Sequence, residues 1–509
     1  MEPDYMTYAV QKLFGLSYLF PYQRLVISNI LEAAQAAGIP LAGETGSLDN
    51  GTSEDNGDDR LCCGLQIVIL PTGAGKSLCF QLPSLLLSGV TLVIYPILSL
   101  MADQERRLRE KGFAPVLLRG GQSQEERAAI WKKVRSGESR FIIANPDVLI
   151  TPTVMKKLPE LGIVHVVIDE AHCVSEWGER FRPCYLKIGD VIHTLKHAGL
   201  PLVTAFTATA SAPVLEKIDR YIFGGVARRI IGNPDRNNIM YAAQGCVLRD
   251  MAVRDLIREH KRPAIVFCSS RNGTENLARY LIHELKDVKN IEIKFYHAGL
   301  SREEKTAVEC WYLKNPRGVL VATCAFGMGV DKADIRTVIH RDIPPSAEAY
   351  LQESGRAGRD GLPSKAIILW GPEDERGLMR AKTEVDKRRM LKLIDYARSG
   401  VSCRREALLT MMDYKGEVPV PETDCCDVCA NSASHVIREQ VILDFFKKYR
   451  RAYTITEAAR IIRAINVYGW TEDDIKKAVY TLIEYKKLII IKNIFWRNKI
   501  TLIKTPPAS

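Results

Sequence analysis

Short apolar runs separated by amphipathic segments are the feature that most restricts the fold of this chain. Apolar runs of this length are typical of strands buried on both faces, and the segments between them suit helices that cover a parallel sheet. Ten runs form two series of five: 67–70, 90–95, 141–144, 164–168 and 203–206, then 264–268, 291–296, 319–322, 338–340 and 366–369. The sequence therefore predicts an α/β fold with two parallel-sheet domains, joined near 232–237.

Composition sets the class of protein and the number of domains. The 509 residues are 46% hydrophobic and 26% charged, which excludes a wholly disordered, collagen-like or coiled-coil chain. We predict four domains, at 1–232, 233–398, 399–433 and 434–509. Within the first domain, segment 42–60 carries six acidic residues and one arginine, and we expect it to form an exposed flexible loop.

Neither the N-terminus nor the longest uncharged stretch predicts export or membrane insertion. Residues 1–11 show no basic start followed by an apolar run. Pro83 and Pro96 interrupt the uncharged stretch 82–101, which favours a buried strand over a membrane span. Thirteen cysteines without a secretion signal indicate reduced thiols. We expect a location in the cytoplasm (the nucleoid) of a bacterium or the nucleus of a eukaryote, neither secreted nor in a membrane.

The net charge of +11 is concentrated in the last domain. Segment 434–509 holds 15 Lys+Arg and 7 Asp+Glu, a difference of +8. Such a basic module indicates a polyanionic partner, either nucleic acid or an anionic membrane surface, while a solvated surface face is the plainer alternative.

A glycine-rich loop, LPTGAGKS at 70–77, follows the first predicted strand and precedes a helical segment, as a phosphate-binding loop does. The loop allows backbone N–H groups to approach phosphate oxygens. Lys76 would reach the β- and γ-phosphates, and the Ser77 hydroxyl would bind Mg²⁺. A leucine stands where the strict pattern has its first glycine. We assign five residues of this loop to the nucleotide: Thr72, Gly73, Gly75, Lys76 and Ser77.

Two further motifs carry charges suited to phosphoryl transfer. Strand 164–168 ends in Asp169 and Glu170, of which the first would hold Mg²⁺ and the second would polarise the attacking water. Arg356 and Arg359 stand among small residues in QESGRAGRDG at 352–361, and they could stabilise charge on the transferred phosphoryl group.

The order of these motifs resembles that of superfamily-two helicases: DEAH at 169–172, TATA at 207–210, then 352–359. The aromatic-rich loop CVSEWGERFRP at 173–183 resembles that of RecQ-type DNA helicases, as do FGMGVDK at 326–332 and CRR at 403–405. The resemblance covers roughly 13–429 and implies two RecA-like domains with ATP in the cleft between them.

The resemblance also implies nucleotide contacts. Segment 14–23 resembles the adenine-binding motif of the family, in which the Gln23 amide would bond to both a donor and an acceptor of adenine. Leu16 and Phe20 replace the family's stacking tyrosine and its arginine, so Tyr18 or Tyr22 is a candidate substitute. Further along the chain, the resemblance assigns Asp331 to the nucleotide. It also makes His172 a link between the ATP site and segment 207–210.

The resemblance assigns five side chains to DNA: Trp177, Phe181, Arg182, Ser99 and Gln104. The aromatic and arginine side chains suit stacking on bases and gripping phosphate, although Trp177 could instead be buried beneath its loop. Residues 179–180, Glu-Arg, replace the His-Asp pair of the family, which implies either a weaker or a different coupling of strand binding to hydrolysis. Arg271 and His297 also occur in motif-like contexts, where DNA contact and a purely structural role are both open.

Four clustered cysteines have the number expected of a zinc site: Cys403, Cys425, Cys426 and Cys429. The adjacent pair departs from the spacing of the family. Neighbouring residues of an extended chain point to opposite sides, so both can bind one ion only across a turn. Asp424 or His435 could replace one of them, and reduced cysteines in a small hydrophobic knot are the alternative to a metal.

The basic tail predicts three helices, at 436–448, 456–465 and 471–485, and two strands, at 488–492 and 499–504. The resemblance leads us to expect a small zinc-binding subdomain followed by a winged helix. Phe495 and Trp496, at the tip of the hairpin, could wedge between base pairs at a fork or fold back onto the module's core.

These motifs together imply an ATP-dependent DNA helicase, and the family resemblance implies that it unwinds duplex DNA in the 3′→5′ direction during recombination and repair. The expected cofactors are ATP, Mg²⁺ and Zn²⁺. The expected partners are single-stranded DNA and duplex or fork junctions, bound by a monomer. A DNA translocase or an RNA helicase on the same motor is the alternative. A non-catalytic scaffold is the third possibility, against which the intact Lys76, Asp169, Glu170 and Arg359 argue.

Overall fold

The computed structural model describes residues 5–16, 18–41, 64–71, 74–177, 183–196, 202–208, 210–233, 235–327, 332–371, 373–379, 381, 383–414, 424–433, 439–465 and 470–503. These residues belong to two compact units. The first unit comprises Met1–Asp235 with Met411–Gly416, and the second comprises Arg236–Thr410 with Glu417–Ser509. The domain limits predicted at 398 and 433 fall within the second unit and stay predictions. The acidic segment 42–60 lies outside the described residues.

The first unit is built on a seven-stranded sheet in the order β3-β4-β2-β5-β6-β1-β7, with every pair parallel. The strands are β1 Leu65–Ile69, β2 Val90–Ile94, β3 Val116–Leu118, β4 Phe141–Ala144, β5 Ile163–Ile168, β6 Leu202–Thr207 and β7 Arg228–Ile231. All five strands predicted for this domain are confirmed. The sequence missed β3 and β7, which are the two edge strands. One has three residues and the other is largely exposed, so neither forms a long apolar run.

Helices cover the first sheet because parallel strands require crossover connections. The helices are Tyr5–Phe14, Pro21–Ala36, Lys76–Leu86, Leu98–Glu110, Gln124–Arg135, Pro146–Leu149, Pro152–Met155, Cys173–Trp177, Ile188–Lys196 and Ala212–Ile218. Strand β2 is buried along its whole length, which confirms a buried strand within 82–101. Among the residues that the structure describes, no helix has both the length and the apolar character needed to cross a membrane.

The second unit contains a six-stranded parallel sheet in the order β10-β11-β9-β12-β13-β8. Its strands are β8 Ile239–Gly245, β9 Ala264–Phe267, β10 Ile293–Tyr296, β11 Val319–Ala322, β12 Thr337–His340 and β13 Ser364–Trp370. All five predicted strands are present. The missed strand, β8, is an edge strand whose sequence IMYAAQG lacks a β-branched run. The helices around this sheet are Arg249–Glu259, Arg271–Glu284, Arg302–Lys314, Ala347–Ser354, Glu373–Leu378, Glu384–Arg398 and Arg404–Met411.

The C-terminal part of the second unit, residues 439–503, is called the terminal module below. It contains helices Gln440–Lys448, Ile455–Ala464 and Glu472–Glu484, followed by the antiparallel strands β14 Leu488–Ile490 and β15 Ile500–Leu502. The predicted three helices and two strands are therefore confirmed. Thr471 and Asp474 form a reciprocal capping box that fixes the start of the third helix. The winged-helix assignment stays a prediction.

Candidate functional site

The phosphate loop joins β1 to helix Lys76–Leu86, so that Lys76 and Ser77 open the helix. The first N–H groups of a helix have no intrahelical acceptor and attract anions. Gly75 precedes the helix with a φ of 71°, and a Cβ at this position would lie 2.5 Å from Gln23 Nε2. Only glycine fits this turn without displacing Gln23. Thr72 and Gly73 lie outside the described residues.

Gln23 connects the segment resembling the adenine-binding motif to the phosphate loop. Its side chain is buried, its Oε1 accepts from the Phe20 N–H at 3.0 Å, and its Nε2 donates to the Ala74 carbonyl at 2.9 Å. Both ends of the amide are therefore oriented by backbone groups. This arrangement places an amide with donor and acceptor capacity beside the phosphate loop.

Three aromatic rings stand in a row beside Gln23. The Phe20 and Tyr22 rings are stacked with centroids 5.4 Å apart, and the Tyr18 ring meets Phe20 edge-on at 5.1 Å. The Tyr18 and Phe20 rings are exposed, as is Leu16. The row offers flat apolar surface next to the amide.

The two carboxylates of the DEAH motif follow β5. The Asp169 N–H bonds to the Ile94 carbonyl of the neighbouring strand, and the Glu170 N–H donates to Asp169 Oδ1 at 2.9 Å. Glu170 has a φ of 51°, a left-handed conformation that is uncommon for residues other than glycine. Such backbone strain costs about 1–3 kcal/mol and is often found at functional sites.

Burial away from water and the neighbouring Glu170 carboxylate raise the pKa of Asp169 to about 7, while the charges of Lys76 and His172 lower it. The carboxylate therefore lies within electrostatic reach of the phosphate-loop lysine. A divalent cation favours the charged form of such a group. The donor set of a carboxylate at this position and a hydroxyl at Ser77 suits Mg²⁺, which prefers oxygen ligands.

His172 contacts both the Glu170 carboxylate and Thr207, the first residue of the segment at 207–210. Its Nδ1 lies 3.1 Å from Thr207 Oγ1 and 3.3 Å from Glu170 Oε2. The ring is buried. A histidine held between two functional segments can transmit a shift of one to the other, as the resemblance implied.

The arginine-bearing turn follows helix Ala347–Ser354 in the second unit. Arg356 is buried and Arg359 is half-buried. Gly358 has a φ of 54°, and a Cβ there would lie 2.4 Å from Asn238 Nδ2. Both the backbone conformation and the close approach of Asn238 therefore require glycine within the turn.

The four cysteines predicted to bind zinc come together. The Sγ atoms of Cys403, Cys425, Cys426 and Cys429 all lie within 4.8 Å of one another. A tetrahedral zinc with Zn–S distances of about 2.3 Å separates its sulfurs by about 3.8 Å, and the sulfurs of Cys403 and Cys425 are 3.5 Å apart. Four thiols at this spacing fit the ion.

A turn allows the adjacent Cys425 and Cys426 to face the same centre. The turn begins after Cys426, with the Cys429 N–H 3.4 Å from the Cys426 sulfur. Burial tends to raise the pKa of the Cys426 thiol, but hydrogen bonds from the backbone of Cys429, Arg404 and Val428 hold it below its ordinary value. Asp424 is exposed and is not part of the cluster, whereas His435 lies outside the described residues.

Comparison with known proteins decides the family. Residues 20–218 match the DEAD/DEAH box helicase family, and residues 249–361 match the helicase conserved C-terminal domain. The sequence is 31% identical over 467 residues to an ATP-dependent DNA helicase RecQ of Pasteurella multocida, in an alignment that covers 87% of this chain and 72% of that protein. The chain belongs to the RecQ family of ATP-dependent DNA helicases.

Other relatives agree with this assignment. The RecQ-family chain is 33% identical over 382 residues to an ATP-dependent DNA helicase RecQ of Haemophilus influenzae, where it spans 74% of its own length and 59% of that protein. Its fold is similar to that of the Mycobacterium smegmatis helicase Lhr, solved with ssDNA and AMP-PNP. The TM-score is 0.54 at 20% identity, covering 80% of this chain and 50% of Lhr. At this identity the likeness concerns the fold alone.

The predicted DNA contacts of this RecQ-family protein differ in accessibility. Ser99 is exposed near the start of helix Leu98–Glu110, whereas Gln104 is buried on the same helix. Gln104 therefore offers little surface to a DNA strand in this conformation. The side chains of four further predicted site residues lie outside the described part of the chain: Trp177, Phe181, Arg182 and Asp331. Their roles stay predictions.

In the second unit, the two motif-like residues lie side by side. A Cβ at Gly299 would lie 3.3 Å from both Arg271 Nη1 and His297 Nδ1, so the two side chains flank this glycine. Arg271 is exposed at the start of its helix, and His297 is buried with its Nε2 3.0 Å from Glu275. Arg271 is therefore the residue of the pair that a phosphate could reach.

The hairpin tip presents its apolar side chains outward. Phe495 is 85% exposed, and the preceding Ile494, which the sequence interpretation did not single out, is 93% exposed. Trp496 is 40% exposed and carries the Arg451 guanidinium 5.0 Å from its ring centroid. The alternative in which both aromatics fold into the core is therefore wrong.

Sequence interpretation missed two polar residues that hold the arginine turn, Arg236 and Asn238. The Arg236 guanidinium donates to the carbonyls of Gly355 at 3.2 Å and Gly358 at 2.7 Å, and Asn238 Nδ2 donates to the Gly358 carbonyl at 2.8 Å. Both lie in the polar run NPDRNN at 233–238, just before β8. A polar run without periodicity predicts a loop and gives no sign of a distant partner.

Proposed function

We propose that this chain uses ATP hydrolysis to move 3′→5′ along single-stranded DNA and to separate duplex or forked DNA, in recombination and repair. The observation that best supports this is the cluster of the first unit, in which the phosphate-loop helix, the Asp169–Glu170 pair and the His172–Thr207 contact occur together. DNA as the substrate would place the protein at the bacterial nucleoid or in the eukaryotic nucleus, and we expect it to act as a monomer.

The roles of individual side chains follow from their chemistry. Lys76 binds the terminal phosphates, and Ser77 with Asp169 would hold Mg²⁺, which neutralises phosphate charge when bound. Glu170 accepts a proton from the attacking water, and its contact with His172 holds its carboxylate in place. Arg356 and Arg359 stabilise charge on the transferred phosphoryl group.

Adenine recognition is assigned to Gln23 and to the row of Tyr18, Phe20 and Tyr22. Base stacking on an aromatic ring contributes about 1–3 kcal/mol. Phe20 precedes Gln23 by three residues in the sequence, and its ring is exposed. We therefore expect Phe20→Ala to weaken ATP binding about tenfold or more, while leaving tripolyphosphate binding unchanged. Calorimetry with both ligands measures this difference. Wild-type ATP affinity in Phe20→Ala would show that this ring does not bind the adenine base.

Zinc is assigned to the four-cysteine cluster because its sulfur spacing fits a tetrahedral ion. We expect about one zinc per chain in purified protein, lost in Cys403→Ser and in Cys429→Ser. Because both adjacent cysteines face the centre, Cys425→Ser and Cys426→Ser should each lower the metal content too. Elemental analysis measures it, with Cys310→Ser, an exposed cysteine outside the cluster, as control. Folded wild-type protein without metal would contradict the site.

The direction of movement is tested by strand displacement on duplexes with a 3′ or a 5′ single-stranded tail, with ATP and with the Lys76→Ala variant. We expect displacement of the 3′-tailed substrate alone, and none with the variant. Movement along single strands without displacement would favour a translocase. A preference for RNA-tailed duplexes would favour an RNA helicase on the same motor.

A further inference from the structure

Arg236 is one of two side chains, with Asn238, that hold the arginine turn of the second unit. The Arg236 guanidinium bonds to the carbonyls of Gly355 and Gly358, which bracket Arg356 and Ala357. A planar guanidinium that donates to two points restrains both position and rotation, which a single bond does not. Because Arg236 lies at the start of the second unit and about 120 residues from the turn, its own position must be fixed by other contacts.

Those contacts come from the segment that carries the first zinc-site cysteine. Arg405, two residues after Cys403, is 1% exposed. Its Nη1 donates to the Arg236 carbonyl at 3.1 Å and its Nη2 to the Ile239 carbonyl at 2.6 Å. Its guanidinium also lies 5.3 Å from the centre of the Tyr241 ring. A buried charge without such partners would be strongly destabilising, so these bonds tie the Arg236 backbone to the cysteine segment.

A second set of buried contacts runs from the other cysteines toward the helix before the turn. Asp427, between Cys426 and Cys429, pairs with Arg404, and its Oδ2 accepts from the Ala243 N–H at 2.9 Å. Arg404 donates to the Tyr396 carbonyl at 2.9 Å. The Tyr396 ring lies 5.9 Å from that of Tyr350, a fully buried residue of helix Ala347–Ser354.

We propose that the cysteine cluster positions the arginine turn through Arg405 and Arg236, which act as positioning residues for Arg356 and Arg359. The proposal rests on the proposed function, since the turn matters through phosphoryl transfer. Both routes lie within the second unit; Arg404, Arg405 and Asp427 are buried, and Arg236 is half-buried. In such a network, the loss of one bond is felt by its neighbours. The cluster then has a catalytic consequence besides its contribution to folding.

The first test is Arg236→Gln. A displacement of about 1 Å at a reacting group can lower a rate about 100-fold, so we expect kcat for DNA-stimulated ATP hydrolysis to fall by about 10- to 100-fold. Affinity for a non-hydrolysable ATP analogue should stay within about twofold, because the phosphate loop is in the first unit. Arg236→Lys, which retains one donor point, should lie between Arg236→Gln and the wild type.

The matched control is Arg258→Gln. This arginine of the same unit also bonds to a backbone carbonyl, that of Glu284, and to Asp287; among the described residues, neither partner belongs to the turn or to the cysteine cluster. We expect normal kcat from it. Hydrogen–deuterium exchange supplies a readout besides activity. The amides of 355–359 should exchange faster in Arg236→Gln and in Arg405→Gln than in the wild type, and at the wild-type rate in the control.

The double variant Arg236→Gln/Arg405→Gln tests whether the two residues act in series. If they do, its kcat equals that of Arg236→Gln alone, whereas independent effects would multiply. Multiplied effects would overturn the proposal. So would unchanged exchange at 355–359 in Arg405→Gln, with zinc content retained, and so would normal kcat in Arg236→Gln. If the wild-type protein itself fails to hydrolyse ATP, the proposed function fails instead.

Discussion

Lys76→Ala and Glu170→Gln are each expected to abolish DNA-stimulated ATP hydrolysis while the protein stays folded. Lys76 opens the helix after the phosphate loop, and its charge acts on Asp169. Alanine at this position removes the one side-chain cation that the loop offers to the terminal phosphates. Loss of one such preorganised charge lowers kcat by about 100- to 1,000-fold.

Glu170→Gln removes a base without changing the shape of the side chain. The amide keeps the size of the carboxylate and can still meet His172, but it cannot take a proton from water. Loss of a positioned general base lowers rates by about 100- to 10,000-fold. ATP affinity should survive in this variant because Lys76 and Gln23 are intact.

Two exposed residues of the same unit serve as controls. Lys132→Ala and Glu138→Gln make equivalent chemical changes at positions exposed to solvent, so both should hydrolyse ATP normally. Phosphate release with and without single-stranded DNA measures the activity, and thermal unfolding measures the fold. Hydrolysis at the wild-type rate by folded Lys76→Ala or Glu170→Gln would remove the motor assignment.

Most strands of both sheets could be predicted from the sequence, chiefly those that are buried on both faces. All ten predicted strands are present, and Phe141–Ala144 and Val319–Ala322 have the predicted ends. Nine of the ten lie inside their sheets, where both faces exclude charge and the apolar run is continuous. The tenth, β10, is an edge strand that was predicted from its alternating apolar residues. The missed strands β3, β7 and β8 are edge strands. Their sequences are short, charged or alanine-rich, because only part of each strand must be apolar.

Within the site, the sequence predicted residues whose chemistry is local but not those that act through distant contacts. The phosphate loop, the DEAH pair and the four cysteines were identified because ligand types recur at short spacing. Whether Cys425 and Cys426 could share a centre depended on a turn that spacing alone does not reveal. Arg236 and Arg405 were not assigned roles for the same reason. Their partners are backbone carbonyls, which carry no sequence signal.

The burial of Gln104 shows a different limit of prediction from sequence motifs. A motif names a residue, but the helix phase decides which side of the helix it occupies. On helix Leu98–Glu110, Gln104 is buried together with Leu100, Met101 and Leu108. Ser99 is on the exposed side. The resemblance grouped the two residues, and the packing of the helix separates them.

The hairpin tip of the terminal module is ordered by its own hydrogen bonds. The Ile491 N–H donates to the Lys499 carbonyl at 2.8 Å, and the Trp496 N–H donates to Asn493 Oδ1 at 2.9 Å. The core of the module is formed by other residues, among them Ile442, Phe446 and Leu488. The tip therefore holds its aromatic side chains outward on a stable support.

The double variant Phe495→Ala/Trp496→Ala is expected to lower unwinding of duplex DNA about tenfold or more while leaving the ATPase near normal. Inserted apolar side chains unstack base steps at a cost of a few kcal/mol, so their removal affects strand separation and not hydrolysis. Duplex binding should fall with salt as steeply as in the wild type, because the +8 charge of 434–509 is unchanged.

Tyr480→Ala is the matched control for this variant, since Tyr480 is 53% exposed on helix Glu472–Glu484 and lies in the same module. It should unwind normally. Loss of the Arg451 contact with Trp496 should cost about 1 kcal/mol, too little to unfold a module with its own core. Four measurements on the same preparations distinguish a wedge from a structural role: unwinding, ATP hydrolysis, duplex affinity as a function of salt, and thermal unfolding. Normal unwinding by the folded double variant would refute the wedge and leave the motor assignment intact, because hydrolysis depends on residues of the two sheet domains.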